Sequence, residues 1–230
     1  ESTYRPSPLP EAPREPLVED DGFFPVPGTR SARGRIRLHY APAPSEDPTA
    51  VAVHHDADRF QGVAVEMGRA AVALGDSDVS LPGFDGDHSA IGVRVDLASL
   101  LGDHGVRLDR EGLDEVVSFV SIGNPHLVLW LRESESLDAF DLARFGPMLE
   151  HHPWFRNRIN VHVVHVESPR LVSMRSWERG SGETSACGTG ASAVCVAGFL
   201  EHRTEDSVSA NLPGGTLHLV YDSLHGTVRM

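Results

Sequence analysis

Glu178-Arg179-Gly180-Ser181-Gly182-Glu183-Thr184-Ser185-Ala186-Cys187-Gly188-Thr189-Gly190-Ala191 gathers a thiol, two carboxylates, a guanidinium and four glycines into one polar stretch that opens an apolar one. A hydrophobic core has no use for that mixture. The residues that follow, 188–202, are mostly small or apolar, contain no proline and end in Glu201 and His202, with Arg203 next, which predicts a helix. Cys187 then stands at the start of that helix, where unpaired backbone N–H groups and the positive end of the helix dipole favour a thiolate. We expect a thiol pKa lowered towards working pH and a group able to take and return a proton. The small side chains at Gly188, Gly190, Ala191, Ser192 and Ala193 would let an anion approach the first-turn N–H groups. Cys195, mid-helix between Val194 and Val196, reads as core.

Gly188-Thr189-Gly190-Ala191-Ser192-Ala193 also has the spacing of a dinucleotide-binding G-x-G-x-x-A turn. That motif follows directly from a buried strand, whereas here a polar loop intervenes, so we set a nucleotide site aside.

Outward from this segment, alternation at 35–40 and 62–67 and apolar runs at 116–121, 126–131, 161–166, 171–177 and 216–221 predict strands. Gly123-Asn124-Pro125-His126 interrupts two of them, which puts Asn124 and His126 at the tip of a strand pair. Asn160 opens another strand. Leu142, Phe145 and Leu149 keep helical spacing within 138–151, although Gly146-Pro147 should break or kink a helix there. The 13 histidines include the adjacent pairs His54-His55 and His151-His152, and His162 with His165 on opposite faces of one strand. None of these has metal-ligand spacing, so we expect no metal site.

Composition narrows the chemistry. The formal charge of -13 argues against nucleic acid and acidic membranes as partners. No run approaches the ~20 apolar residues of a membrane span. All 20 basic residues are arginine, so the chain can supply neither a pyridoxal Schiff-base lysine nor a P-loop lysine. The two cysteines stand eight apart on one helix, roughly 12 Å along its axis, too far for a mutual disulfide. A reducing, cytoplasmic setting is expected. Residues 1–33 carry seven of the 16 prolines and read as a weakly ordered segment.

Glu-Arg-Gly-x-Gly-Glu-Thr-x-Ala-Cys-Gly-Thr-Gly-Ala at 178–191 resembles the second-lobe signature of the diaminopimelate epimerase family. Segments 123–126, 158–161 and 212–215 fit the same family in the same order. The resemblance implies an α+β, two-lobed fold, each lobe a strongly curved, mostly antiparallel sheet around a central helix. It implies a pyridoxal-independent isomerase that interconverts LL- and meso-diaminopimelate in lysine and peptidoglycan biosynthesis, without a cofactor. Cys187 would be one of two acid–base cysteines. Asn124, His126, Asn160, Glu178 and Arg179 would meet the substrate's amino-acid groups, and Gly188 and Thr189 would offer N–H donors to the α-carboxylate. The small-molecule substrate is the implied partner, and a homodimer is left open. The family's first lobe carries the opposing cysteine in a Cys-Gly-Asn-Gly turn, which nothing in residues 1–61 matches. The first residue, Glu1, is also not methionine, so we expect a fragment: a leader at 1–33, a first-lobe remnant at 34–68 and the catalytic-cysteine lobe at 69–230. A non-catalytic binding module, or a relative of proline racemase or of a phenazine-pathway isomerase, are the alternatives.

Overall fold

The computed structural model describes the backbone of residues 23–25, 33–35, 51–56 and 59–62, and the backbone and side chains of 63–96, 100, 112–132 and 137–230. The chain divides into two compact units, Glu1–Ala41 and Pro42–Met230. In the first, β1 (Phe23–Pro25) pairs antiparallel with β2 (Arg33–Arg35). The expected alternation at 36–40 and most of the leader lie outside the described residues.

The second unit is built on an 11-stranded sheet. Its strands are β3 (Val51–Asp56), β4 (Arg59–Arg69), β5 (Val93–Arg94), β6 (Leu113–Ser121), β7 (Pro125–Leu131), β8 (Asn160–Ser168), β9 (Leu171–Glu178), β10 (Gly182–Thr184), β11 (Ser207–Leu212), β12 (Gly215–Asp222) and β13 (Thr227–Arg229). The order across the sheet is β3-β4-β13-β12-β11-β9-β8-β7-β6-β5, with β10 folded back on β9. Every pairing is antiparallel except β7 with β8 and β9 with β11. Helix α1 (Leu142–Glu150) connects the first parallel pair and α2 (Gly188–Leu200) the second. Both connections step the same way across the sheet but leave from strands of opposite sense. Crossovers of one hand therefore put the two helices on opposite faces.

Strand alternation sorts the core accordingly. Leu127, Leu129, Val161 and Val163 pack with Leu142, Phe145 and Leu149 of α1 on one side. Val128, Trp130, Val164, Val172 and Met174 pack with α2 on the other. With both faces covered, β7 is buried along its whole length. Helix α2 is buried from Gly190 to Gly198 and touches β6, β7, β8, β11, β12 and β13. Laid flat, the strands from β13 to β6 would span roughly 30 Å, far more than a helix ~10 Å across can meet. The sheet therefore curves round α2, as expected of a curved α+β lobe with a central helix. Strands β3 and β4 join the far edge of this sheet through β13.

Two expectations need correction. Helix α1 runs through Gly146-Pro147 instead of breaking there. Its apolar face outweighs the one hydrogen bond that Pro147 forfeits, and Asp141 caps its start by accepting from the Arg144 N–H. Gly146 serves a different end, because a Cβ there would fall 2.6 Å from Trp177 Cγ and 2.7 Å from Cε3. Helix α2 stops at Leu200, short of His202, whose positive φ of 59° turns the chain while its N–H bonds to the Phe199 carbonyl. The Glu201 carboxylate then fastens this end to the sheet, accepting from Ser118 Oγ at 2.6 Å, Trp130 Nε1 at 2.8 Å and Arg203 Nε at 2.8 Å.

Candidate functional site

The sheet places a row of polar residues at one end, under the start of α2. His126 and Asn160 are register partners across β7 and β8, and Val161 lies opposite Trp177 of β9, so Asn160 and Glu178 end neighbouring strands. The alternation that sends Val128, Val164 and Met174 towards α2 sends His126, Asn160, His162, Ser176 and Glu178 the same way. These positions are polar only at this end of the strands. Further along, the same face is Val, Trp and Met packed on the helix.

Cys187 is the N-cap of α2, in extended conformation, and is 4% exposed. Its Sγ lies 3.8 Å from Thr189 Oγ1, and the Gly190 N–H, without a hydrogen bond to the sulfur, is near enough to favour the thiolate. These two groups favour a thiolate, as expected, but they lose. Burial first, and the Glu178 carboxylate second, push the thiol up to about 12. The expected lowering is thus reversed, because the helix start is roofed over and an acidic residue sits beside the sulfur. In this state Cys187 is a proton-bearing thiol. Gly188 and Thr189 form the half-buried first turn, and a Cβ on Gly188 would lie 3.3 Å from the side chain of Met230. Cys195 is fully buried within α2, as expected.

The remaining candidates are held by hydrogen bonds. Asn160 donates from Nδ2 to the Pro125 carbonyl at 2.8 Å and accepts the Arg179 N–H on Oδ1 at 3.0 Å, tying the Asn124 turn to the Arg179 loop. Arg179 Nη1 donates to the Asn157 carbonyl at 2.8 Å. Glu178 accepts from Thr184 Oγ1 at 2.6 Å. Asn124 bonds to His126, 2.9 Å between Oδ1 and Nε2. All the expected polar residues thus lie at this end of the sheet, while Gly188 and Thr189 flank Cys187 at the helix start.

Sequence reasoning missed two supports. His162 bonds to His126 and to Ser176, and a polar residue inside the apolar run 161–164 is the signal that could have found it. Glu150, 3% exposed, accepts from Trp177 Nε1 at 2.8 Å and from the Gly180 N–H at 3.0 Å, so it sets the loop that carries Glu178 and Arg179. Among the described residues no three His, Cys, Asp or Glu side chains cluster as a metal would require, and no helix is long and apolar enough to cross a membrane.

Glu150 gives a pH prediction. Burial works against its ionisation, but the Trp177 and Gly180 donors, with His151 and Arg158, outweigh it and hold the carboxyl below its ordinary 4.5. A carboxylate whose pKa falls on folding stabilises above the unfolded value and loses that contribution as pH drops through the folded one. Chemical denaturation from neutral to acid pH should show stability declining below 4.5, with Glu150→Gln less stable at neutral pH and flatter in acid. An unchanged acid slope in the variant would contradict this.

The family model described as diaminopimelate epimerase matches residues 118–230. A diaminopimelate epimerase of Synechococcus sp. (strain JA-2-3B'a(2-13)) is 52% identical over 106 residues, 46% of this chain and 37% of that protein. One from Desulfitobacterium hafniense is 45% identical over 139 residues, covering 55% of this chain and 48% of that protein. A solved structure of a predicted epimerase from Pseudomonas aeruginosa aligns with a TM-score of 0.48 at 16% identity, covering 80% of this chain and 59% of that one. The chain therefore spans less than half the length of the curated relatives it matches. Residues 118–230 are thus similar to the diaminopimelate epimerase family.

Proposed function

We propose that residues 69–230 form one acid–base half-site of a pyridoxal-independent epimerase acting on diaminopimelate, in lysine and peptidoglycan biosynthesis. The supporting observation is a buried Cys187 at the start of a central helix, its thiol raised by burial and by Glu178, with Gly190 packed between it and His162 of the polar row. In this reading a base on the opposite face of the substrate removes the α-proton. The Cys187 S–H bond then breaks as the new C–H bond forms, and the sulfur is left as a thiolate. The Gly190 N–H and the Thr189 hydroxyl are in place to receive that charge. A thiol held near 12 gives up its proton only to a strong base, such as an α-carbanion, and so resists idle ionisation in water.

Asn124, Asn160, Glu178 and Arg179 take the substrate's amino-acid groups, with His126 behind Asn124 and bonded to it, and the N–H groups of Gly188 and Thr189 take the α-carboxylate. The absence of lysine from the chain fits a reaction without pyridoxal. The opposing group comes from a first lobe of which residues 34–68 are the part present. Two unpaired, buried cysteines fit the reducing cytoplasm.

Calorimetric titration of the chain with meso-diaminopimelate tests the reading. Binding is expected, with Arg179→Ala weakening it roughly 10- to 100-fold, the loss of a charged hydrogen bond. No binding, or equal binding by the variant, would contradict it.

A further inference from the structure

His126, His162 and Ser176 form a buried line of hydrogen bonds that ends on Asn124. Ser176 Oγ lies 2.9 Å from His162 Nδ1, His162 Nε2 lies 2.8 Å from His126 Nδ1, and His126 Nε2 lies 2.9 Å from Asn124 Oδ1. Both histidines have no exposed surface, and Ser176 is 1% exposed. Burial holds both imidazoles neutral, His162 at about 3 and His126 well below its ordinary value, with His162 and Arg179 adding to the effect on His126. A neutral imidazole has one N–H and one lone pair. The line can therefore run in only two senses, with every donor pointing towards Asn124 or every donor pointing towards Ser176.

The buried end decides between them. Among the described residues the Ser176 side chain has no hydrogen-bond partner besides His162. If the line ran towards Ser176, the hydroxyl would only accept and its own hydrogen would be stranded in the core, a cost the opposite sense avoids. With Ser176 donating, His162 must donate from Nε2, His126 must donate from Nε2, and Asn124 must accept on Oδ1. Asn124 is half-buried, and its Nδ2 has no partner among the described residues.

We propose that His162 is a positioning residue: by donating from Nε2 to His126 it fixes the protonated nitrogen of His126, and through it turns the amide N–H groups of Asn124, not its oxygen, towards the ligand. The ligand group opposite Asn124 is then an acceptor, a carboxylate and not an ammonium. The ligand half of this proposal rests on the placing of Asn124 in the diaminopimelate site, whereas the tautomer half stands without it. Gly190 lets His162 reach this position, since a Cβ there would fall 2.8 Å from its Nε2.

Imidazole ¹⁵N spectra of the 230-residue chain at neutral pH read the tautomers directly. Both His126 and His162 are expected as the Nε2–H form. His126 carrying its proton on Nδ1 would overturn the proposal. His162→Phe should leave His126 a mixture of tautomers and weaken meso-diaminopimelate binding about tenfold, while His162→Gln, which keeps a donor and an acceptor, should restore both to within roughly threefold. Unchanged tautomer and affinity in His162→Phe would also overturn it. Should that variant not fold, Ser176→Ala, which removes the terminal donor, is expected to mix the tautomers of both rings. A wild-type chain with the stated tautomers that binds no diaminopimelate supports the relay and sinks only the functional reading.

Discussion

Gly190→Ala should both destabilise the protein and disable its site. In an ordinary helix the exchange gains nearly 1 kcal/mol from helix propensity. Here the new Cβ would lie 2.8 Å from His162 Nε2 and 2.9 Å from Cys187 Sγ. Neither neighbour has room to retreat. His162 is fully buried and bonded at both ring nitrogens, and Cys187 is fixed by the helix it caps. Overpacking of this kind costs ~1–3 kcal/mol against the propensity gain, so a net loss of up to about 2 kcal/mol is expected. Diaminopimelate affinity should fall with it, because the displaced His162 no longer orders His126 and Asn124. Gly188→Ala is the control: its nearest neighbours are the flexible ends of Met230 at 3.3 Å and Met67 at 3.8 Å, which can yield. Denaturation curves of the two variants decide the matter, and a Gly190→Ala protein as stable as Gly188→Ala would contradict this packing.

Much of the framework was legible in the sequence because it rests on periodicity. The runs at 116–121, 126–131, 161–166, 171–177 and 216–221 became β6, β7, β8, β9 and β12. The proline-free run from Gly188 became α2, with Cys187 at its cap. Strands β10 and β13 escaped because each is three residues long and is defined by its partner rather than by its own pattern. Helix α1 was misjudged at Pro147 because the burial of Phe145 and Leu149 is a tertiary effect that local propensity does not contain.

The site was legible in its members but not in its charge states. A cysteine before a glycine-rich helix start reads as a thiolate, since the helix dipole and the N–H groups are all that sequence shows. The opposing influences, burial of Cys187 and the nearness of Glu178 nine residues earlier, exist only once β9 and α2 meet. His162 escaped for a related reason. Its partners Ser176 and His126 lie on different strands, and nothing in the spacing of the three announces a line of hydrogen bonds.

The central claim, that Cys187 exchanges a proton with the α-carbon, is best tested where both faces of the substrate are served. A chimera joining the first lobe of the Desulfitobacterium hafniense relative to this chain's second lobe should be incubated with LL-diaminopimelate in D2O, following inversion and α-deuteration by NMR. The 230-residue chain alone is expected to show no inversion and at most trace deuteration, because one acid–base group can exchange a proton but cannot invert the centre, and a Cys187 thiol held up to about 12 is a poor base for removing the α-proton. The chimera should invert and deuterate together, and Cys187→Ser within it should slow both by roughly 10²–10⁴-fold, since a serine hydroxyl is a weaker acid than the thiol and gives its proton to the carbanion less readily. A Cys187→Ser chimera that inverts and deuterates at the parent rate would contradict the account.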